Sequence, residues 1–402
     1  MHKPEAGSQT RPPRGAIRLE LRSGFSVALF DCSVNIAGKI MFQTRRSFAA
    51  LRVRLWLLMI LAGTASWPAP AQNPDETGPP YPVPADLSDP LATDAAKSLM
   101  AKLAADYGKH TWTGQHNSEE LAFIQNHAGR EPAFLEGDLV DYSPSRVQYG
   151  SMTSNYTEAY ITRARSGYVL GFCWHWNAPT NLLNTADEPW YFGFYTRATT
   201  FNVATALADT NSIEYAMILR DIDAIAIQLE KVSSNNIPVL WRPLHEASDR
   251  GFWWGAQGPG PFKALWRLLY SRLTEHHHLH NLIWVLTNED PRWYPGDDVV
   301  DIIGVDAYPS DTGDTLSKNW RALQWRFAGK KLLALSEFGG VPDLERMHSQ
   351  GVWWSYFSCW NGSFIESTPP ETLKRIYNSP EVLTLDSLNS TRPTGATKPP
   401  GQ

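Results

Sequence analysis

Cysteine is nearly absent from this 402-residue chain: Cys32, Cys173 and Cys359 are the only three, and none stands at the spacing of a structural metal site. A bridge between Cys173 and Cys359 is open to the chain, although two buried thiols fit at least as well. Basic charge is also scarce outside the N-terminus. The first 71 residues hold ten Lys/Arg against three Asp/Glu, leaving 26 against 38 in the remainder, a net charge of −12. That balance excludes nucleic acid and anionic lipid as natural partners. No apolar run reaches the roughly 20 residues of a membrane helix, so no stable membrane anchor is expected. A phosphate-cradling Gly loop, a dinucleotide fingerprint and an internal repeat are missing as well.

What the chain does have is aromatic surface, with 17 Trp, 15 Tyr and 16 Phe. Most of these rings belong in a core, but flat apolar faces also suit ligands with C–H surfaces, as sugars have. From Met41, four arginines (Arg45, Arg46, Arg52, Arg54) precede the apolar run Leu55 to Ala65, and Ala69-Pro70-Ala71 follows as a small-residue cleavage pattern. This reads as an export signal over 41–71, which predicts a secreted or periplasmic protein. Thr44-Arg45-Arg46-Ser47-Phe48 resembles the twin-arginine motif, with a generic basic segment as the equal alternative. Residues 1–40 are then a rarely used upstream extension, 72–95 a Pro-rich tether, 96–386 a single catalytic domain, and 387–402 a flexible tail. The domain is expected to work as a monomer.

Within that domain, short β-branched or aromatic runs alternate with helical patterns, which predicts a (β/α)8 TIM barrel. Eight candidate strands can be counted: 110–116, 133–140, 168–176, 237–246, 281–287, 301–308, 331–338 and 352–360. Helical periodicity marks 213–232, 262–276 and 316–327. In such barrels the reactive groups stand at the C-terminal ends of the strands. The fourth strand ends Trp241-Arg242-Pro243-Leu244-His245-Glu246 and the seventh ends Leu335-Ser336-Glu337-Phe338-Gly339. Two carboxyls at strand mouths across a small barrel are what glycoside hydrolysis needs: one to protonate the leaving oxygen, one to attack, about 5–5.5 Å apart in retaining enzymes. His245 and Arg242 stand where they would tune these charges. No metal or other cofactor is needed for this chemistry. His276-His277-His278 with His280 reads as a solvated helix end rather than a metal tract. Glu289-Asp290 and Asp297-Asp298 form no calcium loop, and Asp138 and Asp141 face either substrate or a neighbouring loop.

Arg242-Pro243-Leu244-His245-Glu246 with Phe252-Trp253-Trp254-Gly255 resembles the signature of glycoside hydrolase family 26. Trp174-His175-Trp176, Tyr294-Pro295-Gly296-Asp297, Gly304-Val305-Asp306-Ala307-Tyr308 and Ser336-Glu337-Phe338-Gly339 agree with it in order. The resemblance implies a retaining endo-acting enzyme that cleaves β-1,4-mannosidic linkages in mannan, glucomannan or galactomannan, plant-type β-linked polysaccharides. Glu246 would be the general acid/base and Glu337 the nucleophile. It also implies that His175, His245 and Tyr308 contact the sugar or position the nucleophile, and that Trp254 and Trp360 shape subsites; Trp176 and Arg242 complete the candidate substrate-binding set. Gly251 stands where the family commonly carries tryptophan, leaving a gap that Arg250 could fill. That departure keeps mixed-linkage β-1,3-1,4-glucan and β-1,3-xylan open as substrates, and a non-catalytic carbohydrate-binding barrel is the rival from another class.

Overall fold

A computed structural model describes residues 78–390. The export segment, the upstream extension and residues 391–402 lie outside the described residues. Eight parallel strands close into a cylinder: β1 (Thr111–His116), β2 (Phe134–Asp138), β3 (Val169–Trp174), β4 (Val239–Pro243), β5 (Leu282–Thr287), β6 (Ile302–Ala307), β7 (Leu332–Phe338) and β8 (Tyr356–Cys359). Closure is explicit, because β1 pairs with β2 through Gly114↔Phe134 and with β8 through Trp112↔Tyr356. Helices cover the outside, among them Ile213–Ser233 and Ser317–Phe327. Pro259–Ser271 continues into a π-turn over Arg272–His276. The predicted barrel is therefore present with its strands in the expected places. It gains one unforeseen element, the two-residue β9 (Val382–Leu383), which pairs with the start of β1.

Several strands are shorter than expected, and β4 shows why. It ends at Pro243, which has no N–H to donate, and Leu244 and Glu246 both turn left-handed (φ 52° and 53°). His245 and Glu246, expected as site residues, thus lie just outside the ladder. β7 behaves differently. Against β6 the register runs Gly304↔Ala334 then Asp306↔Glu337, and against β8 it runs Leu335↔Phe357 then Phe338↔Cys359. Both neighbours spend two residues where β7 spends three, so β7 carries one extra residue around Ser336. Adjacent residues of a regular strand face opposite ways. Here Ser336 Oγ reaches Asp306 Oδ1 (2.8 Å) and Thr287 Oγ1 (3.1 Å), while Glu337 also turns into the barrel mouth. The bulge re-aims the glutamate, a common use of bulges beside active sites.

Composition misled at the chain ends. The Pro-rich stretch expected as a tether over 72–95 is docked from residue 78 on: Val83, Ala85 and Leu87 pack on the core, and Ser88 N–H donates to Asp301 Oδ1 at 2.6 Å. Asp89 pairs with His280 Nδ1 at 2.8 Å. Residues 387–390, expected in the tail, belong to the helix Leu385–Ser390, and Asn389 lies against Gly167. Both ends of the described residues thus gather on the floor of the barrel, where the strands begin. The histidine tract is structural too, with His277 Nε2 at 2.7 Å from Asp223. The acidic pairs are spent locally: Glu289 on Asn319, Asp290 on Arg292, Asp297 on Tyr294 and Asp298 on Arg267. Cys173 and Cys359 are buried free thiols.

The buried Asp301 carboxylate holds two backbone donors, Ser88 N–H and Trp284 N–H (2.7 Å). Orphaning buried donors costs about 1–3 kcal/mol each. Asp301→Ala is expected to lower stability by at least about 2 kcal/mol, read as a drop in the urea midpoint with activity per folded molecule retained.

Candidate active site

Arg242, from the last turn of β4, enters the barrel axis and is 1% exposed. Its guanidinium reaches Glu136 Oε1 from β2 (2.8 Å), Asp306 Oδ2 from β6 (2.7 Å) and Glu337 Oε2 from β7 (2.7 Å). Burial opposes the charge on Arg242, but Asp306, Glu136 and Glu337 outweigh it and hold the group charged well above its ordinary range. Burial likewise opposes ionisation of Glu136, yet Arg242 and His116 bring it below the usual carboxylate range. Asp306 goes the other way. Its burial, reinforced by the nearby Glu337 and Glu246 charges, exceeds the pull of Arg242 and raises it well above that range.

Glu337 is 3% exposed, and its second oxygen accepts the Tyr308 hydroxyl. With Arg242 on one oxygen and Tyr308 on the other, the carboxylate is fixed in orientation. Glu246 is less buried and sits in a strained turn after β4. One carboxylate oxygen each from Glu246, Asp306 and Glu337 lie within 4.8 Å of one another. Burial, then the charge of Glu337, raises Glu246 to about 7, which suits a group that gives up and takes back a proton near neutrality. These three carboxylates also have metal-ligand chemistry, but Arg242 already supplies the positive charge a cation would bring. A small cavity of about 100 Å³ opens beside Glu246, lined by Asp249, Asn288, Glu289 and Asp306.

The histidines form a second chain. Asp138, at the end of β2, takes His175 Nδ1 at 2.7 Å and the His175 backbone N–H at 3.1 Å. His175 Nε2 then meets His245 Nε2 at 3.1 Å. Burial disfavours charge on His175, but Asp138 overcomes it and raises its pKa. Burial and the adjacent His175 push His245 well below the ordinary histidine range. These opposite directions favour positive charge on His175 over His245. Trp360 closes this side, stacked on His116 at 4.1 Å.

The structure thus brings together Glu246, Glu337, Arg242, His175, His245, Tyr308 and Trp360. It corrects three substrate-contact expectations. Trp176 has no exposed surface and donates its indole N–H to Asp221 (2.8 Å) on the outer helix 213–233. Trp254 is equally buried and donates to the His245 carbonyl at 2.9 Å, steadying the turn that carries Glu246. Arg242 is almost wholly buried and spends its guanidinium on Glu136, Asp306 and Glu337. Glu136 and Asp306 were given no role from sequence; each is an acid within a barrel strand. Beyond its chain neighbours, nothing lies within 4 Å of where a Gly251 side chain would begin, and Arg250 Nη2 stands 3.9 Å from the corresponding point on Gly258.

Removing one partner from a buried ion network costs about 3–5 kcal/mol. Arg242→Ala should lose about that much at pH 7, measured by urea unfolding. Because Glu136 is held below its usual range, the stabilisation it receives is present above that range and fades as acid protonates it. The gap between wild type and variant should therefore narrow at pH 3.

A model of glycosyl hydrolase family 26 matches residues 88–387. A mannan endo-1,4-beta-mannosidase of Thermothelomyces thermophilus is 42% identical over 319 residues, covering 79% of this chain and 66% of that protein. The chain thus spans just under two thirds of that curated relative. Among solved structures, the Podospora anserina GH26-CBM35 beta-(1,4)-mannanase superposes with a TM-score of 0.75 at 42% identity, covering 77% of this chain and 70% of that one. A beta-mannanase from a symbiotic protist of the termite Reticulitermes speratus, complexed with gluco-manno-oligosaccharide, gives 0.69 at 28% identity, covering 77% and 98%.

Proposed function

Since this chain belongs to glycosyl hydrolase family 26, we propose that it is an endo-acting, configuration-retaining β-1,4-mannanase with Glu337 as nucleophile and Glu246 as acid/base. The observation that carries this reading is the approach of the two carboxylates within 4.8 Å. Inverting enzymes separate theirs by about 6.5–9.5 Å to admit a water. In the first step a Glu337 oxygen bonds to the anomeric carbon as the C–O bond to the leaving sugar breaks, and Glu246 gives its proton to that oxygen. Glu337 loses its charge on becoming an ester. The repulsion that helped keep Glu246 protonated then disappears, and Glu246 becomes the better base for the second step. It takes a proton from water, the water oxygen bonds to the anomeric carbon, and the bond to Glu337 breaks.

The mannan assignment draws on what the relatives are named for, and a chain-like substrate suits the exposed rings around the mouth. Tyr149 and Tyr191, on the loops after β2 and β3, are 43% and 44% exposed, and Tyr149 stacks on Trp190. The open space at Gly251 favours β-1,3-1,4-glucan or β-1,3-xylan as a second reading, because a pocket lacking a large ring discriminates less among sugars. Export, the third part of the proposal, rests on the basic, apolar and small-residue pattern of 41–71 and predicts mature protein beginning after Ala71.

Release of reducing ends from purified mannans, β-glucans and xylans tests the substrate, with mannan expected to dominate. Glu337→Ala should abolish turnover, and wild-type turnover in that variant would refute the nucleophile. Glu246→Ala should lose far more on unactivated mannan than on aryl glycosides with good leaving groups. Activity needs Glu246 protonated, so kcat/KM should fall as pH rises through about 7, seen as the alkaline limb of the pH–rate profile.

A further inference from the structure

We infer that Phe364 is a substrate-binding residue that forms the apolar platform for the sugar next to the cleavage site on the non-reducing side. The inference rests on the retaining mannanase reading above and adds a subsite to it. A single exposed Phe is ordinary on a protein surface, so its setting has to carry the argument. Phe364 lies in the short helix Ser363–Glu366 after β8. The turn buries Ile365 completely and leaves the larger Phe364 ring 44% exposed.

That turn is held from below. Gly362 is left-handed (φ 61°), and its N–H donates to Oε1 of Glu120 at 2.8 Å, a carboxylate only 6% exposed. From the side, the Phe364 ring meets Tyr308 edge-on, with centroids 5.0 Å apart. A side chain on Gly339, two residues past the nucleophile, would begin 2.7 Å from Tyr308 Cδ1 and 3.2 Å from Phe364 Cδ1. The missing side chain of Gly339 thus seats both rings. Tyr308 in turn holds Glu337, so Phe364 stands one ring beyond the nucleophile on a preorganised support.

Direction follows from barrel order. In the ring of eight, β4 and β8 are four strands apart, so Glu246 and Phe364 face each other across the mouth with Glu337 on intervening β7. The leaving group must reach Glu246 for its proton. A chain that crosses the mouth therefore lays its glycone half toward β8, over Trp360 and then Phe364. Apolar sugar faces stack on such rings, and binding energy gained there can be spent on the reacting bond.

The test compares kcat/KM for aryl β-mannosides of one, two and three β-1,4-linked sugars, with the aryl group as leaving group. In Phe364→Ala the gain from adding the second sugar should shrink by about tenfold, while the one-sugar value stays within about twofold. Phe364→Tyr should restore the gain. An equal loss at every length would overturn the inference, because it would show that Phe364 only steadies Tyr308 and Glu337. No loss at any length would overturn it as well. A wild type that turns over none of the mannosides refutes the mannan reading instead, and the same length series built from the sugar it does cleave then decides on Phe364.

Discussion

One buried cation organises the centre of this barrel. Arg242 binds carboxylates from β2, β6 and β7 while itself anchored on β4, so a single guanidinium ties half the strands together at the level where the chemistry occurs. Such a group is costly to bury, and its planar fork is suited to hold several carboxylates at fixed angles. The return is geometric. Glu337 must present an oxygen in a fixed direction, and between Arg242 and Tyr308 it has little freedom to turn. The same charge also divides the acids around it, since Glu136 is drawn below its usual range while Glu246, only indirectly compensated, rises toward neutrality.

The second requirement is a backbone that departs from regular structure at two places. After β4, Leu244, Glu246 and Arg250 all adopt left-handed conformations, each costing of order 1–3 kcal/mol. Buried indoles offset this: Trp254 holds the His245 carbonyl, and Trp253 Nε1 donates to the Trp176 carbonyl just past β3 at 2.5 Å. On β7 the extra residue aims Glu337. Tight tryptophan packing around an irregular rim lets a rigid cylinder support one strained turn and one bulge that a looser core would relax.

Much of this was legible in the chain, and what was not has identifiable causes. Glu246 and Glu337 were visible because each stands at the C-terminal end of an expected barrel strand, where reactive groups gather. Arg242 was visible as part of a motif, yet its role was hidden, because Glu136 and Asp306 are 106 and 64 residues away. Trp176 was misjudged through adjacency. It neighbours His175, but just past β3 the two side chains part, His175 meeting Asp138 and His245 while Trp176 turns outward to Asp221. The docked segment from residue 78 was read as free because proline content signals the lack of regular structure, which is a different property from lack of contact.

That docking has a mechanical consequence. The segment from 78 contacts Asp301 and His280, both just ahead of strands, and Asn389 meets Gly167, just ahead of β3. Both ends of the described residues therefore lie at the pole opposite the rim that bears Glu246 and Glu337. The stretch 78–89 thus braces the base of the barrel, while the rim that bears Glu246 and Glu337 is built from strand ends and the loops that follow them.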